Sequence, residues 1–339
     1  MTATAAPLPD SRLTDRPDAS AFVVPRPGFG RRFALVVDTE EEFDWTAPFD
    51  RAHQSVTALG GMAEGQRYFE AAHVRPLYVT DYPVASHARA RDMMARWVAD
   101  ETADVGAHLH PWVNPPHEEQ VCGANSFVGN LPEPLERAKL TALRDLLTQA
   151  FGKPPVAYRA GRYGIGPNTA QILADLGFRV DTSVRSRFDY RAQYGPDFRH
   201  MPLRPWRTGP AGSILELPLS TAFLGSLAPL GAHLYPLVER HRLVRGGLSR
   251  LGLLDRVPLT PEGVPLTDAV RAVDALLARG QELLLFSFHS PTLTPGHTLY
   301  VRTGDDLRVF YRWWDGMLNH LARVGVAPTH LDEIIAAFA

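Results

Sequence analysis

The sequence predicts an α/β protein built on a parallel sheet, with a closed (β/α) barrel favoured over an open doubly wound sheet. Three observations carry this. From Arg31 to the C-terminus, short apolar runs alternate with longer segments of helical periodicity, which is the pattern of successive βαβ units. The apolar runs carry unusual polar residues at or near their C-terminal ends, where parallel α/β folds assemble their sites. Those polar ends come from every part of the chain, which suits a ring of strands better than an open sheet with one crevice.

Taken in order, Phe33–Asp38 is the first apolar run of strand length, followed by an acidic stretch to Trp45. A helix is expected over Ser55–Ala72, a strand over Val74–Asp81 and a helix over Ser86–Asp100. Ala103–Leu109 reads as a buried strand closed by His108 and His110, and Pro111 stops its ladder. Residues 113–132 are rich in Pro, Gly and Asn without periodicity, the mark of a functional or mobile loop. Leu140, Leu143, Leu147 and Phe151 stand at helical spacing within Leu135–Phe151, and Gly152 is its stop. Pro155–Arg159 is the next strand. A helix at Asn168–Leu176, ended by Gly177, leads into the strand Phe178–Val184. Ser213–Pro218 is a further strand. Residues 219–262 break the rhythm and read as a helical excursion, a lid or a dimer surface. The alternation resumes with a helix at Leu266–Arg279, a strand at Glu282–His289, a long helix at Asp305–Val324, and Val326–His330 with a terminal helix.

At 339 residues the chain fits one large domain or two ordinary ones. The expectation is a disordered arm over residues 1–30, rich in Pro, Ala, Asp and Arg, and then a single barrel domain over 31–339. A hydrophobic share of 45% and a charged share of 21% are those of a globular enzyme. The net charge of −2, without a basic stripe, argues against nucleic acid or an anionic membrane as partner. Cys122 is the only cysteine, which excludes an internal disulfide. Residues 1–30 hold no apolar run long enough for a signal-peptide core, and nothing later approaches the ~18–20 apolar residues of a spanning helix. The cytoplasm is the expected compartment and no transmembrane segment is expected.

The polar strand ends are Asp38 with Glu40, Asp81, His108 with His110, Arg159, Asp181, Glu216 and His289. Side chains two apart on a strand share a face, so the two imidazoles point together, as do Asp38 and Glu40. Two neutral imidazoles plus a carboxylate make a divalent-metal site with open positions. Such a metal acidifies water and polarises a carbonyl, while a second carboxylate takes a proton and a histidine donates one. One of Asp38 and Glu40 would then bind metal and the other act as base. His289 is the candidate acid, and Arg159 can hold the base in a charge-assisted fork. No Gly-x-Ser-x-Gly elbow is present. Nor does a Gly-x-Gly-x-x-Gly follow the first strand, which argues against a dinucleotide enzyme.

In this order the motifs resemble the polysaccharide deacetylase (NodB-homology, carbohydrate esterase type 4) family, in its divergent WalW-like branch, over about Arg31 to His330. They are Val37-Asp-Thr-Glu40, Gly106-Ala-His-Leu-His110, Tyr158-Arg-Ala-Gly-Arg-Tyr-Gly164 and Phe286-Ser-Phe-His289. The resemblance implies a distorted (β/α)7-type barrel and a divalent metal, zinc first with cobalt or nickel as alternatives. It also implies removal of N- or O-acetyl groups from sugars. By position it places the base on Asp38, the metal carboxylate on Glu40 and the metal histidines on His108 and His110. The arginine that positions the base falls on Arg159, the acid on His289, and oxyanion contacts near Tyr163. The chain departs from the usual pattern in having Asp-x-Glu for adjacent aspartates, histidines two rather than four apart with Trp at 112, and one extra residue in the third motif. Which of Asp38 and Glu40 binds metal therefore stays open.

Trp45 and Trp112 are candidates to stack on a sugar ring. His117, Glu118 and Glu119 read as a solvated charge run, and Trp313-Trp314 as helix packing. Arg185 and Arg187 read as surface charge, in preference to a phosphate or carboxylate contact. His297 and Tyr300 are expected at the rim. The function expected is a metal-dependent carbohydrate deacetylase, acting inside the cell on a sugar or polysaccharide precursor. The alternatives are an inactive sugar-binding or scaffold protein on the same barrel, and a metal-dependent amidohydrolase acting on a small non-sugar amide. A bound metal and a titratable His289 separate enzyme from scaffold, and acetyl release from sugars against simple amides separates the two enzymes.

Overall fold

Residues 10–339 are described by a computed structural model, and their order of elements follows the expected alternation. The chain runs β1 (Arg32–Thr39), α1 (Leu59–Ala71), β2 (Leu77–Thr80), α2 (Tyr82–Ser86), α3 (Ala88–Ala99) and β3 (Asp104–Leu109). Then come α4 (Glu133–Phe151), β4 (Ala157–Ala160), α5 (Thr169–Asp175), β5 (Val180–Asp181), β6 (Trp206–Thr208), β7 (Ile214–Glu216) and β8 (Thr221–Leu224). The remainder is α6 (Gly231–Val238), α7 (Arg242–Arg250), β9 (Asp255–Pro258), α8 (Leu266–Ala278), β10 (Leu283–His289), α9 (Gly304–Arg323), β11 (Ala327–Pro328) and α10 (Leu331–Ala337).

Parallel strands lie side by side in the order β10-β1-β2-β3-β4-β5-β7. β6 is antiparallel on the outer side of β7, and β11 pairs with the start of β1. The sheet curls into a half-barrel ringed by helices, a distorted (β/α) barrel in one α/β domain. No β7–β10 ladder closes it among the described residues. Instead, Leu285 N–H donates to Ser220 Oγ at 2.9 Å, and Ser287 N–H to Leu259 O at 3.2 Å.

Strand periodicity divides the core. Ala34 and Val36 of β1, Leu77 and Val79 of β2, Ala157 of β4 and Leu283 and Leu285 of β10 form the interior cluster, together with Leu331, Ile334 and Phe338 at and beyond α10. The alternate residues Phe33, Leu35, Val37, Phe286 and Phe288 pack outward with Trp313 and Trp314 of α9. Parity therefore carries Asp38, Glu40 and His289 onto the interior side at the C-terminal mouth. Gly152 ends α4 in the left-handed conformation at φ 74°, the backbone a helix stop of this kind requires.

Two expectations need correction. The first nine residues of the expected disordered arm lie outside the described residues, but residues 10–30 lie against the sheet. Leu13 is fully buried, Ser11 bridges Gly209 and Phe22 bridges Trp206, so the arm covers the β6 edge, whose backbone groups would otherwise be unpaired. The excursion at 219–262 is not wholly helical. It opens and closes with the antiparallel ribbon β8–β9, and α6 and α7 lie between. No described helix is long and apolar enough to cross a membrane.

Candidate metal centre

His108 and His110 leave the end of β3 on one face, with ring centroids 4.8 Å apart, and Glu40 meets them from the end of β1. Glu40 Oε2 stands 3.4 Å from His108 Nε2 and 3.4 Å from His110 Nε2. One ligand atom from each of the three residues lies within 4.8 Å of the other two, and all three side chains are buried. The second nitrogen of each ring is committed. His108 Nδ1 is 3.0 Å from the carbonyl oxygen of Arg159, which can only accept. His110 Nδ1 lies 2.8 and 3.0 Å from the two oxygens of Glu41. The His108 proton thus sits on Nδ1, an ionised Glu41 sets the same tautomer at His110, and both Nε2 atoms turn toward Glu40. His110 Nε2 is buried without a hydrogen-bond partner, an orphan that a cation would satisfy. Burial holds the His110 pKa below its ordinary value. For Glu40 burial works upward, but His289, His108 and His110 outweigh it and keep the carboxyl ionised. The residues present fit a divalent site of two imidazoles and one carboxylate, and the carboxylate grouped with the imidazoles is Glu40, not Asp38.

Behind His110, Glu41 also accepts from Trp112 Nε1 at 3.0 Å, and its own N–H donates to Asp81 Oδ2 at 2.7 Å. Burial raises Glu41 to about 7 and Asp81 well above the usual carboxylate range. Glu41, Asp81 and His110 also come close enough to hold an ion. However, Asp81 is occupied in capping α2 at Val84 N–H, 2.8 Å away, so this cluster supports the imidazole.

Asp38, on the same face, has other partners. Arg159, fully buried, donates from Nη1 to Asp38 Oδ1. Its Nε and Nη2 are pinned by Thr182 O at 3.0 Å and Thr182 Oγ1 at 3.1 Å. Burial raises the Asp38 pKa, but Arg159, His108 and His289 together hold it below the ordinary value. The other Asp38 oxygen is 3.9 Å from His289 Nε2. His289 Nδ1 meets Glu262 Oε2 at 2.7 Å, and the same carboxylate accepts from His289 N–H at 3.0 Å. Burial works against the charged ring, yet the Glu262, Glu40 and Asp38 charges raise its pKa to about 10. An ionised carboxylate and a protonated imidazole therefore stand close to each other and to Glu40, the pairing that general acid–base chemistry needs.

These groups open onto a cavity of about 800 Å³, lined by Asp38, Glu40, His108 and His289 and by Trp45, Tyr163, Tyr190 and Tyr300. Trp45 is 47% exposed and stands edge-on to His110. Trp112 is not at the surface of the cavity: it is buried, its ring stacked on His110 with centroids 4.4 Å apart. Asp181 and Glu216 miss the mouth as well. They pair in register one position out of phase with the interior residues Val180 and Leu215, so both point outward and are fully buried. Glu119 is not solvated but lies buried 3.0 Å from Lys139 Nζ. Sequence reasoning missed Glu41, which only shows as the odd-parity neighbour of Glu40, and Glu262, which no local pattern marks. It also missed the closeness of Gly161: a Cβ there would fall 2.2 Å from His110 Cδ2. Next to it, Arg162 and Tyr163 hold φ of 55° and 60°, consecutive left-handed conformations of the kind that gather at functional sites.

No protein-family model and no curated protein matches the chain. Among solved structures, it is similar to a 4-α-glucanotransferase from Thermococcus litoralis, at 9% identity and a TM-score of 0.51, over 91% of this chain and 41% of that one. This likeness shows the fold alone. Others are a chain from Mycobacterium smegmatis assigned as a polysaccharide deacetylase (16% identity, TM-score 0.47, 92% and 97% covered) and a family 4 carbohydrate esterase from Streptomyces lividans in complex with acetate (9%, 0.45, 91% and 97%).

Proposed function

We propose that the chain is a metal-dependent hydrolase that removes an acetyl group from an N- or O-acetylated sugar. The observation that carries this reading is the Glu40, His108, His110 cluster with the orphaned His110 Nε2, sharing one cavity with an Asp38 paired to Arg159 and a His289 paired to Glu262. The order of the four motifs supports the acetyl-sugar class, and the aromatic side chains around the cavity suit the apolar faces of a sugar ring.

Glu40, His108 and His110 would hold the ion, zinc first and cobalt or nickel otherwise. When bound, it supplies Lewis acidity toward an acyl carbonyl and toward water. Asp38, kept ionised by Arg159, accepts the proton of the attacking water. Arg159 is a positioning residue, tied to Thr182 so that it presents one face to Asp38. His289, kept protonated by Glu262, gives its Nε2 proton to the leaving amine or alcohol. Tyr163 lies beside the reacting centre, where its backbone N–H would receive the developing oxyanion. Trp45 flanks the sugar.

The test joins metal content with acetyl release. Wild type is expected to carry about one divalent ion per chain and the His108→Ala/His110→Ala variant none, with acetate released from acetylated sugars and not from simple amides. A wild type that takes up no zinc, cobalt or nickel overturns the reading. Release from amides alone moves the chain to the amidohydrolase class.

A further inference from the structure

Three arginines line the cavity, and among the described residues none has an acidic partner; Arg302 is exposed, whereas Arg162 and Arg185 are partly buried. Every carboxylate that lines the space is committed. Asp38 is held by Arg159 and Glu40 faces the imidazoles. Glu42 accepts from Thr57 and Ser55, and Asp44 accepts from Thr46. Arg162 and Arg185, from the segments after β4 and β5, line the same cavity. Among the described residues neither lies within 4.0 Å of a carboxylate, the distance at which Arg159, Arg256 and Arg75 are all paired.

Both are nonetheless built into place. The Arg185 guanidinium lies over the Phe188 ring at 4.0 Å and the Tyr163 ring at 5.1 Å from their centroids. Its Nη1 donates to Tyr190 Oη at 2.9 Å, and its Nε is buried without a partner. Arg162 lies over Phe127 at 4.0 Å and donates from Nη2 to Gln193 Oε1 at 2.7 Å. Arg162 also donates from Nη1 to Ser126 Oγ, whereas Arg185 makes no hydrogen bond from Nε or Nη2; stacking fixes each plane, so little side-chain freedom remains to be lost when an acceptor arrives. A guanidinium fork matches the paired oxygens of a carboxylate or phosphate. Tyr163 connects this pair of arginines to the reacting centre, since its ring sits under Arg185 and it follows by two residues Gly161, which packs against His110.

We propose that Arg185, with Arg162, forms an anion subsite, and that the natural substrate is an acylated sugar bearing a carboxylate or phosphate group. This rests on the hydrolase reading for the acyl sugar but not for the anion. An acidic sugar residue would place its charge on the arginines and its acyl group toward the Glu40 cluster.

Calorimetric titration of the full chain with glucuronic acid, glucose 6-phosphate and glucose tests it. At least one of the two anions is expected to bind about 10- to 100-fold tighter than glucose. Which one does so identifies carboxylate or phosphate. Arg185→Gln should abolish that margin, and Arg185→Lys, which keeps the charge and loses the fork, should retain part of it. A margin carried by a metal ion would survive Arg185→Gln and would overturn the proposal. So would equal binding of all three probes by wild type. Acetyl release from acetylated glucuronic acid and acetylated glucose is followed alongside. If neither releases acetate while the Arg185-dependent margin stands, the hydrolase reading has failed and the anion subsite has not.

Discussion

Gly161 is where the smallest change should do the most specific damage. In Gly161→Ala the new Cβ would lie 2.2 Å from His110 Cδ2 and 2.6 Å from Leu109 O. Carbon atoms pack best at about 3.5–4.0 Å, so the imidazole would have to retreat by roughly 1.3 Å or more. It has no room to do so freely, being stacked on Trp112 behind and bonded to Glu41 at Nδ1. Metal–ligand distances tolerate about 0.2 Å. The displacement therefore removes one ligand from the cluster, and overpacking costs a further ~1–3 kcal/mol of stability. The expected result is a loss of at least ~100-fold in zinc affinity, read by competition with a chromophoric chelator, with a modest fall in Tm. Gly60→Ala is the control, because a Cβ at that α1 position meets nothing within 4 Å and should leave affinity unchanged and stability slightly raised. A folded Gly161→Ala protein that binds zinc as wild type does would refute the assignment of His110 as a ligand.

Three further outcomes are expected. Glu262→Gln removes the charge 2.7 Å from His289 Nδ1 and should lower the His289 pKa from about 10 by roughly one to two units. A raised histidine pKa contributes stability that is full below the ordinary value near 6.5 and is lost as pH rises through about 10. The variant should lose that contribution at lower pH, as a proton NMR titration of the ring and unfolding across the same range will show; an unmoved pKa would remove Glu262 from the site. Glu41→Ala releases His110 Nδ1 and leaves Trp112 Nε1 without its acceptor. It should weaken metal binding about 10- to 100-fold and cost ~1–3 kcal/mol, both absent if Glu41 only fills space. Glu216, fully buried beside Asp181, has a pKa pushed well above the ordinary value by burial and then by Asp181. Its contribution to stability is full below the ordinary carboxylate pKa and is lost as pH rises through the raised one. Glu216→Gln should therefore gain stability relative to wild type between pH 5 and pH 8 in urea unfolding, and a pH-independent difference would contradict the burial argument.

The parts of the fold and site that were legible in the sequence are those governed by short-range periodicity. Alternating apolar runs marked the strands because a strand inside a barrel of helices must be apolar on both faces. The period of two put His108 beside His110 and Asp38 on the face of Glu40, and the motif order tied these to Arg159 and His289. The same rule, applied one step further, would have excluded Asp181 and Glu216, whose parity differs from that of Val180 and Leu215. What only the tertiary structure decided are the partners that arrive from distant segments. Glu40 rather than Asp38 meets the imidazoles because Arg159, 121 residues on, claims Asp38. Glu262 reaches His289 from the end of an excursion that carries no helical or strand signature of its function. Trp112, which the sequence offered as a sugar platform, is turned inward because the chain bends at Pro111 and Glu41 takes its indole N–H. Arg185, which read as surface charge, is held over aromatic rings in the cavity with no carboxylate beside it. Local spacing sets which side of a strand a residue faces; whether that side meets a partner, a cavity or solvent depends on chain brought together by closure of the sheet, and no short window of sequence contains it.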